Sequence, residues 1–236
     1  MFQKRGGILL IFLVVIACIC LTMYTLYDRL KTTSREETKS TSGQIVFSTN
    51  TPPDSNDLAS STESIKAEGA SVHWPMERAL ERITKKPFGL HVRPTDSPVS
   101  PERFSGYHTA VDFEVFSDEA TAAVSVNAIC SGPIRVKRTA TGYGGVLVQE
   151  CHIAAQAVTV IYGHLKLTSI QKQVGNELRR GEVFAVLGAG ESAETGGERK
   201  HLHLGIHKGT AIDIRGYVAS AAQLNEWIDL RTLIHD

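Results

Sequence analysis

His201-Leu202-His203-Leu204-Gly205-Ile206 alternates imidazole with aliphatic or small side chains. An extended chain sends successive side chains to opposite faces. The stretch therefore reads as a strand whose leucines face a core and whose histidines face a cleft. Working outward, the chain beyond Pro87 has the same texture, with short Val- and Ile-rich runs separated by glycine-containing turns. Candidate strands are 110–116, 123–128, 134–138, 145–150, 157–163, 183–187 and 201–207. Thr141-Gly142-Tyr143-Gly144 between two of them has the residues of a hairpin turn. The expected fold class is mainly β, with an antiparallel sheet. From Ser220 the tail carries Ser220-x-x-Gln223, as in a capping box, and then Leu224, Trp227 and Ile228 at helical spacing, which predicts a short C-terminal helix packed on the sheet.

The rest of the chain differs in composition. After a tail of residues 1–5, residues 6–27 form an apolar run without a charge, long enough as a helix to cross a hydrocarbon core of roughly 30 Å. It ends in Met23, Tyr24, Thr25, Leu26 and Tyr27 rather than in small residues suited to cleavage, so we expect an uncleaved transmembrane anchor. Val15-Ile16-Ala17-Cys18 loosely resembles a lipoprotein processing site, but the chain stays apolar well past Cys18. Lys4 and Arg5 precede the run while Arg29, Lys31, Arg35 and Lys39 follow it, so charge leaves its orientation open. Residues 28–71 are rich in Ser, Thr, Asp and Glu with almost no apolar periodicity, and they read as a disordered spacer. Residues 72–86 form a pre-domain segment, with a short helix expected over 76–84. The β domain is placed at 87–218 and the closing helix at 219–236. Lys plus Arg and Asp plus Glu each total 25, so no basic excess exists to neutralise a phosphate backbone, and nucleic acid is not an expected partner.

Three segments carry groups fit for chemistry. His108-Thr109-Ala110-Val111-Asp112 places two good zinc ligands four residues apart, on one face of a strand. Alone, it is also what a chance surface pair looks like. His201 and His203 share a strand face and suit a ligand with a partner base, or two solvent-facing histidines. Tyr162-Gly163-His164-Leu165 ends an apolar strand, where a satisfied structural histidine is the plainer reading. The weight comes from all three occurring in this order in a chain with nine histidines.

H-x-x-x-D, then Y-x-H-L, then H-x-H resembles the M23 metallopeptidase family, which includes lysostaphin and LytM and cleaves peptide bonds in bacterial peptidoglycan. The resemblance runs from about Pro87 to Tyr217 and includes Gly142-Tyr143-Gly144-Gly145, Val174-Gly175, Arg180-Gly181-Glu182-Val183 and Gly188. Ala110 stands where members usually have Gly, and Leu204 where Phe is frequent; neither replaces a ligand. The resemblance implies the LytM type of sheet, also called the duplicated hybrid motif, bent around a metal cleft. It implies one zinc ion per chain held by His108, Asp112 and His203, with His164 and His201 as catalytic histidines beside it. Two imidazoles and one carboxylate would leave a position for water, as a catalytic site requires. Tyr107 and Tyr162 are possible oxyanion donors, with packing the simpler role for each. His207 shares the parity of His203 but stands near the Lys208-Gly209 turn and is expected to be exposed.

The implied function is zinc-dependent hydrolysis of a stem-peptide or cross-bridge bond in peptidoglycan, by a domain outside a bacterial membrane. The alternative is a catalytically silent relative that binds cell wall or activates another hydrolase, and a further one is an envelope scaffold. Retention of the full ligand set favours the enzyme. Cys130 and Cys151 flank the hairpin turn almost equally, so the sequence admits either a disulfide or two buried thiols.

Overall fold

The computed structural model describes residues 72–234. The anchor expected at 6–27 and the spacer at 28–71 lie outside the described residues. Among the described residues, no helix is long and apolar enough to cross a membrane.

Among the described residues eleven strands appear in this order: β1 His91–Val92, β2 Gly106–His108, β3 Ala110–Glu114, β4 Ser125–Asn127, β5 Gly132–Ala140, β6 Gly144–Ile153, β7 Gln156–Gly163, β8 Glu177–Leu178, β9 Val183–Val186, β10 His201–Lys208 and β11 Tyr217–Val218. The main sheet has the order β3-β10-β7-β6-β5-β8; β1-β2-β11 and β4-β9 form smaller sheets. Every pairing between these strands is antiparallel. The seven strands expected from the sequence are all present, with ends shifted by a few residues. The two- and three-residue strands β1, β2, β8 and β11 carry too little pattern to be read in advance.

Strand alternation divides the core. Leu202, Leu204 and Ile206 of β10 enter the large cluster with Val158, Val160 and Tyr162 of β7 and Leu147 of β6. Val146, Val148 and Ile161 face the other way, against Tyr143 and Trp227. The pre-domain segment closes the large cluster with Val72, Met76 and Ala79, and Trp74 packs there too, away from the histidine face. Its helix, α1, is a single turn at Ala79–Arg82.

The expected C-terminal helix is not α-helical. The Ser220 amide does bond the Gln223 side chain at 3.1 Å, but the tail forms 3-10 turns at Ala221–Glu226 and Leu230–Thr232. Trp227 leaves the first turn in an extended conformation, bridges His207 and is buried at 4 % exposure. Burying that indole on the sheet outweighs continuing the helix, because a large aromatic offers more apolar burial than a further turn of exposed backbone. Cys130 and Cys151 form a disulfide with Cα atoms 6.2 Å apart, inside the main core.

Candidate metal centre and cleft

β10 runs between β3 and β7, and its register sets His203 opposite Asp112 on one side and Gly163 on the other. His108 arrives from a different sheet. The chain passes from β2 to β3 at Thr109, whose amide bonds the Gly216 carbonyl at 3.0 Å and whose hydroxyl donates to the Arg215 carbonyl at 2.6 Å. His108 and Asp112 therefore converge across a break between two strands, not along one.

The three expected ligands meet in a buried cluster. His108 Nε2 is 3.2 Å from His203 Nδ1. Asp112 Oδ1 lies 3.1 Å from His203 Nδ1 and 3.3 Å from His108 Nε2. Zinc bonds of 2.0–2.1 Å span a tetrahedral edge of about 3.3–3.4 Å between ligand atoms, so the triangle fits such an ion closely. Hydrogen-bond partners fix the tautomers in the same sense. His108 Nδ1 faces the Pro87 carbonyl at 3.2 Å, and a carbonyl only accepts, so the neutral ring carries its proton there and aims the Nε2 lone pair at the cluster. If His203 Nδ1 is likewise a lone pair, its Nε2–H donates to the Tyr143 hydroxyl at 3.1 Å.

His164 and His201 stand beside this triangle with ring centroids 4.3 Å apart. His164 Nδ1 donates to the carbonyls of Tyr143 at 2.9 Å and Thr195 at 3.0 Å, and His201 Nδ1 to the Arg199 carbonyl at 2.9 Å. In the neutral His164 ring Nε2 is left as the free base. His201 Nε2 lies 3.3 Å from Asp112 Oδ2. His164 has a positive φ of 62°, an uncommon backbone conformation for a residue with a side chain, held here by the two carbonyls on its ring.

Electrostatics match burial. Burial alone would raise the Asp112 carboxyl, but the neighbouring His201 and His108 hold it well below the usual carboxylate range. Burial, reinforced by His201 and His203, holds His164 well below the ordinary histidine value, so it is neutral near pH 7. Burial lowers His203 to about 4 against the opposing pull of Asp112. Burial raises the hydroxyl of Tyr143, and Asp112 adds to the shift.

Three contributors were not singled out from sequence. Arg199 donates from Nη2 to Asp112 Oδ2 at 2.8 Å and grips Glu114 with Nε at 3.0 Å to each oxygen, leaving Asp112 Oδ1 for the triangle. Asp112 and Glu114 share strand parity, and two buried carboxylates on one face call for a cation, a signal that was available. Tyr143 sits in the hairpin turn recognised in the sequence, but its contact with His203 depends on how the turn folds over β7. A Cβ on Gly163 would overlap its ring. Tyr217 stacks on Phe104 at 5.3 Å and accepts a hydrogen bond from the buried Lys86 ammonium at 2.9 Å.

These groups line a cleft of about 290 Å³, with walls that include Phe104, Glu198, Ile214 and Gly216. Glu198 and Arg199 come from the connection between β9 and β10. Neither tyrosine considered as an oxyanion donor lines it. Tyr162 is buried in the core, where its hydroxyl accepts from the Ile129 amide at 2.9 Å and donates to Gln149 at 3.0 Å. Tyr107 packs on His91 at 4.6 Å. His207, expected to be exposed, is buried at 8 % exposure because Trp227 covers it, with ring centroids 4.9 Å apart.

Residues 106–214 match the model of peptidase family M23. Among solved structures, the chain is similar to LytU, at 20 % identity over 64 % of this chain and 82 % of that one, with a TM-score of 0.43. It is similar to the catalytic domain of lysostaphin from Staphylococcus simulans, at 17 % identity over 63 % and 86 % of the two chains, with a TM-score of 0.40. Csd3 of Helicobacter pylori aligns at 18 % identity over 64 % of this chain and 36 % of its own length, with a TM-score of 0.40. No curated protein matches the chain in sequence.

Proposed function

We propose, from the match of residues 106–214 to the model of peptidase family M23, that the chain is a zinc-dependent endopeptidase that hydrolyses stem-peptide or cross-bridge bonds in bacterial peptidoglycan. The observation that carries this reading is the triangle of His108 Nε2, Asp112 Oδ1 and His203 Nδ1, with sides of 3.1–3.3 Å. Three electron-pair donors aimed at one point, with too few protons to bond one another, are the donor set of a zinc site, here for one ion.

A bound zinc ion supplies Lewis acidity, lowering the pKa of water toward about 7 and polarising a scissile carbonyl. The chain's own groups do the rest. The imidazoles of His164 and His201 would take a proton from the attacking water and return one to the leaving amine. Burial keeps His164 neutral and so competent as a base. Arg199 keeps Asp112 ionised and turned toward the triangle, and Tyr143 fixes the plane of His203.

We further propose that residues 6–27 anchor the chain in a bacterial membrane, with the peptidase domain on the extracytoplasmic side. The charge-free apolar run supports the anchor, and the Cys130–Cys151 disulfide supports an oxidising compartment.

The test is metal content and muropeptide release for the full chain beside His203→Ala. Zinc bound and peptidoglycan cut, with hydrolysis and an equivalent of zinc lost in the variant, is the expected result. A wild-type chain that binds zinc at the triangle and cuts no peptidoglycan would favour the silent wall-binding reading.

A further inference from the structure

A second convergence of metal-ligating groups lies at the far end of β10. One ligand atom from each of His207, Asp213 and Glu226 lies within 4.8 Å of the other two. They come from three segments: β10, the stretch 209–216 that leads to β11, and the 3-10 turn Ala221–Glu226. His207 Nδ1 is buried without a hydrogen-bond partner, and so is the Nε1 of Trp227, whose ring packs edge-on against the imidazole. A buried polar atom left unbonded forfeits its hydration without compensation, so an unbonded imidazole nitrogen beside two carboxylates needs an explanation.

Arg215 balances the carboxylates. Its Nε lies 3.0 and 2.9 Å from the two oxygens of Asp213, and its Nη2 lies 3.7 Å from Glu226. This guanidinium neutralises the acids and leaves His207 Nδ1 without a hydrogen bond. A divalent ion would satisfy all three groups, with the charges of two carboxylates matching its own. One imidazole with two carboxylates is a ligand mix that zinc accepts.

We propose that His207, Asp213 and Glu226 form a second divalent-cation site, suited to zinc, at which the ion and Arg215 compete for the same carboxylates. Occupancy ties the 209–216 stretch to β10 and to the C-terminal turn, and it releases the Arg215 guanidinium. That stretch forms the cleft wall at Ile214, Arg215 and Gly216, and its carbonyls hold Thr109 between His108 and Asp112. Metal availability would then tune the shape of the cleft. The site stands apart from the peptidase reading and does not depend on it.

Equilibrium dialysis of the full chain against Zn2+, with metal counted per chain, tests the assignment. The wild type is expected to take up one more equivalent than Glu226→Gln, which alters an exposed side chain and should leave the fold intact. His207→Gln should lose the same equivalent. Arg215→Gln should tighten that site by about tenfold or more, since the competing cation is gone. His203→Ala should lose a different equivalent and keep this one. Equal stoichiometry and affinity in wild type, Glu226→Gln and Arg215→Gln would overturn the proposal. A loss confined to His203→Ala would do so while sparing the peptidase reading, and a loss confined to Glu226→Gln and His207→Gln would do the reverse.

Discussion

Replacing Arg199 by Gln removes the cation that keeps two buried carboxylates apart. The Arg199 side chain is 19 % exposed, Asp112 2 % and Glu114 11 %, so all three groups are largely out of water. Removing one partner of a buried pair costs roughly 3–5 kcal/mol. Lys85 at 3.5 Å from Glu114 recovers part of that, and Asp112 keeps its histidine neighbours, so a loss of about 2–3 kcal/mol is expected, near the value of one charged hydrogen bond. The larger effect falls on metal. Loss of a group that orients a ligand weakens zinc binding by about 10–100-fold. Its pH dependence has a definite sign. Asp112 titrates well below its ordinary value in the folded protein, so its contribution to stability is complete above the unfolded pKa of about 3.9 and disappears as pH falls through the folded value. Without the guanidinium the folded value rises, and zinc binding in Arg199→Gln fails at a higher pH than in the wild type. Arg199→Lys should recover only part, because an ammonium cannot grip Glu114 and reach Asp112 as the planar fork does. Chelator competition from pH 4 to 8, with urea unfolding alongside, measures both effects. Wild-type zinc affinity and pH profile in Arg199→Gln would refute the claim that Arg199 aims Asp112.

Tyr143→Phe should keep the fold and weaken zinc binding by about tenfold, since only the hydroxyl that meets His203 Nε2 is lost; unchanged affinity in calorimetry would remove Tyr143 from the site. Gly163→Ala should displace the Tyr143 ring and cost about 1–3 kcal/mol, and a denaturation curve matching the wild type would show that the ring yields freely. Cys130→Ala with Cys151→Ala should lower stability by about 3 kcal/mol, and wild-type protein in reductant should approach the same midpoint. In the metal-free protein, burial holds His203 at about 4, below its unfolded value of about 6.5, so its share of stability is whole above about 6.5 and is lost as pH falls toward 4. A melting temperature that stays flat across that window would contradict it.

The sequence carried those parts of the fold that are written in local pattern. β6 and β7 are apolar runs buried on both faces and β10 alternates imidazole with aliphatic or small side chains, and each lies within a few residues of its expected place. What stayed illegible depends on distant partners. β1 and β11 are two residues each and exist because β2 pairs with both. The tail was expected as a helix because the spacing of Leu224, Trp227 and Ile228 is helical; the contact of Trp227 with His207 could not be read from that spacing, and it decides both the 3-10 geometry and the burial of His207. The site follows the same division. His108, Asp112, His164, His201 and His203 stand in short motifs of residues suited to metal or proton chemistry, and the fold brings all five together. Arg199 and Tyr143 act through strand register and turn path, which no short motif encodes.

Register is where fold and site become one constraint. β10 sends Leu202, Leu204 and Ile206 into the core and His201, His203 and His207 to the other face. A slip of one residue against β3 would place histidines in the apolar cluster and leucines in the cleft, and would part His203 from Asp112. The cost of burying imidazoles without partners and exposing leucines opposes that slip before any metal binds. The apolar core therefore positions the ligand triangle without help from the ion, and an incoming ion meets donors already spaced at 3.1–3.3 Å. Ordering costs that a disordered site would meet on binding are met here by folding, so most of the intrinsic affinity of two imidazoles and a carboxylate remains for holding the metal. By the same argument, a core substitution on the leucine face of β10, such as Leu204→Ala, should weaken zinc binding as well as stability, although Leu204 points away from every ligand.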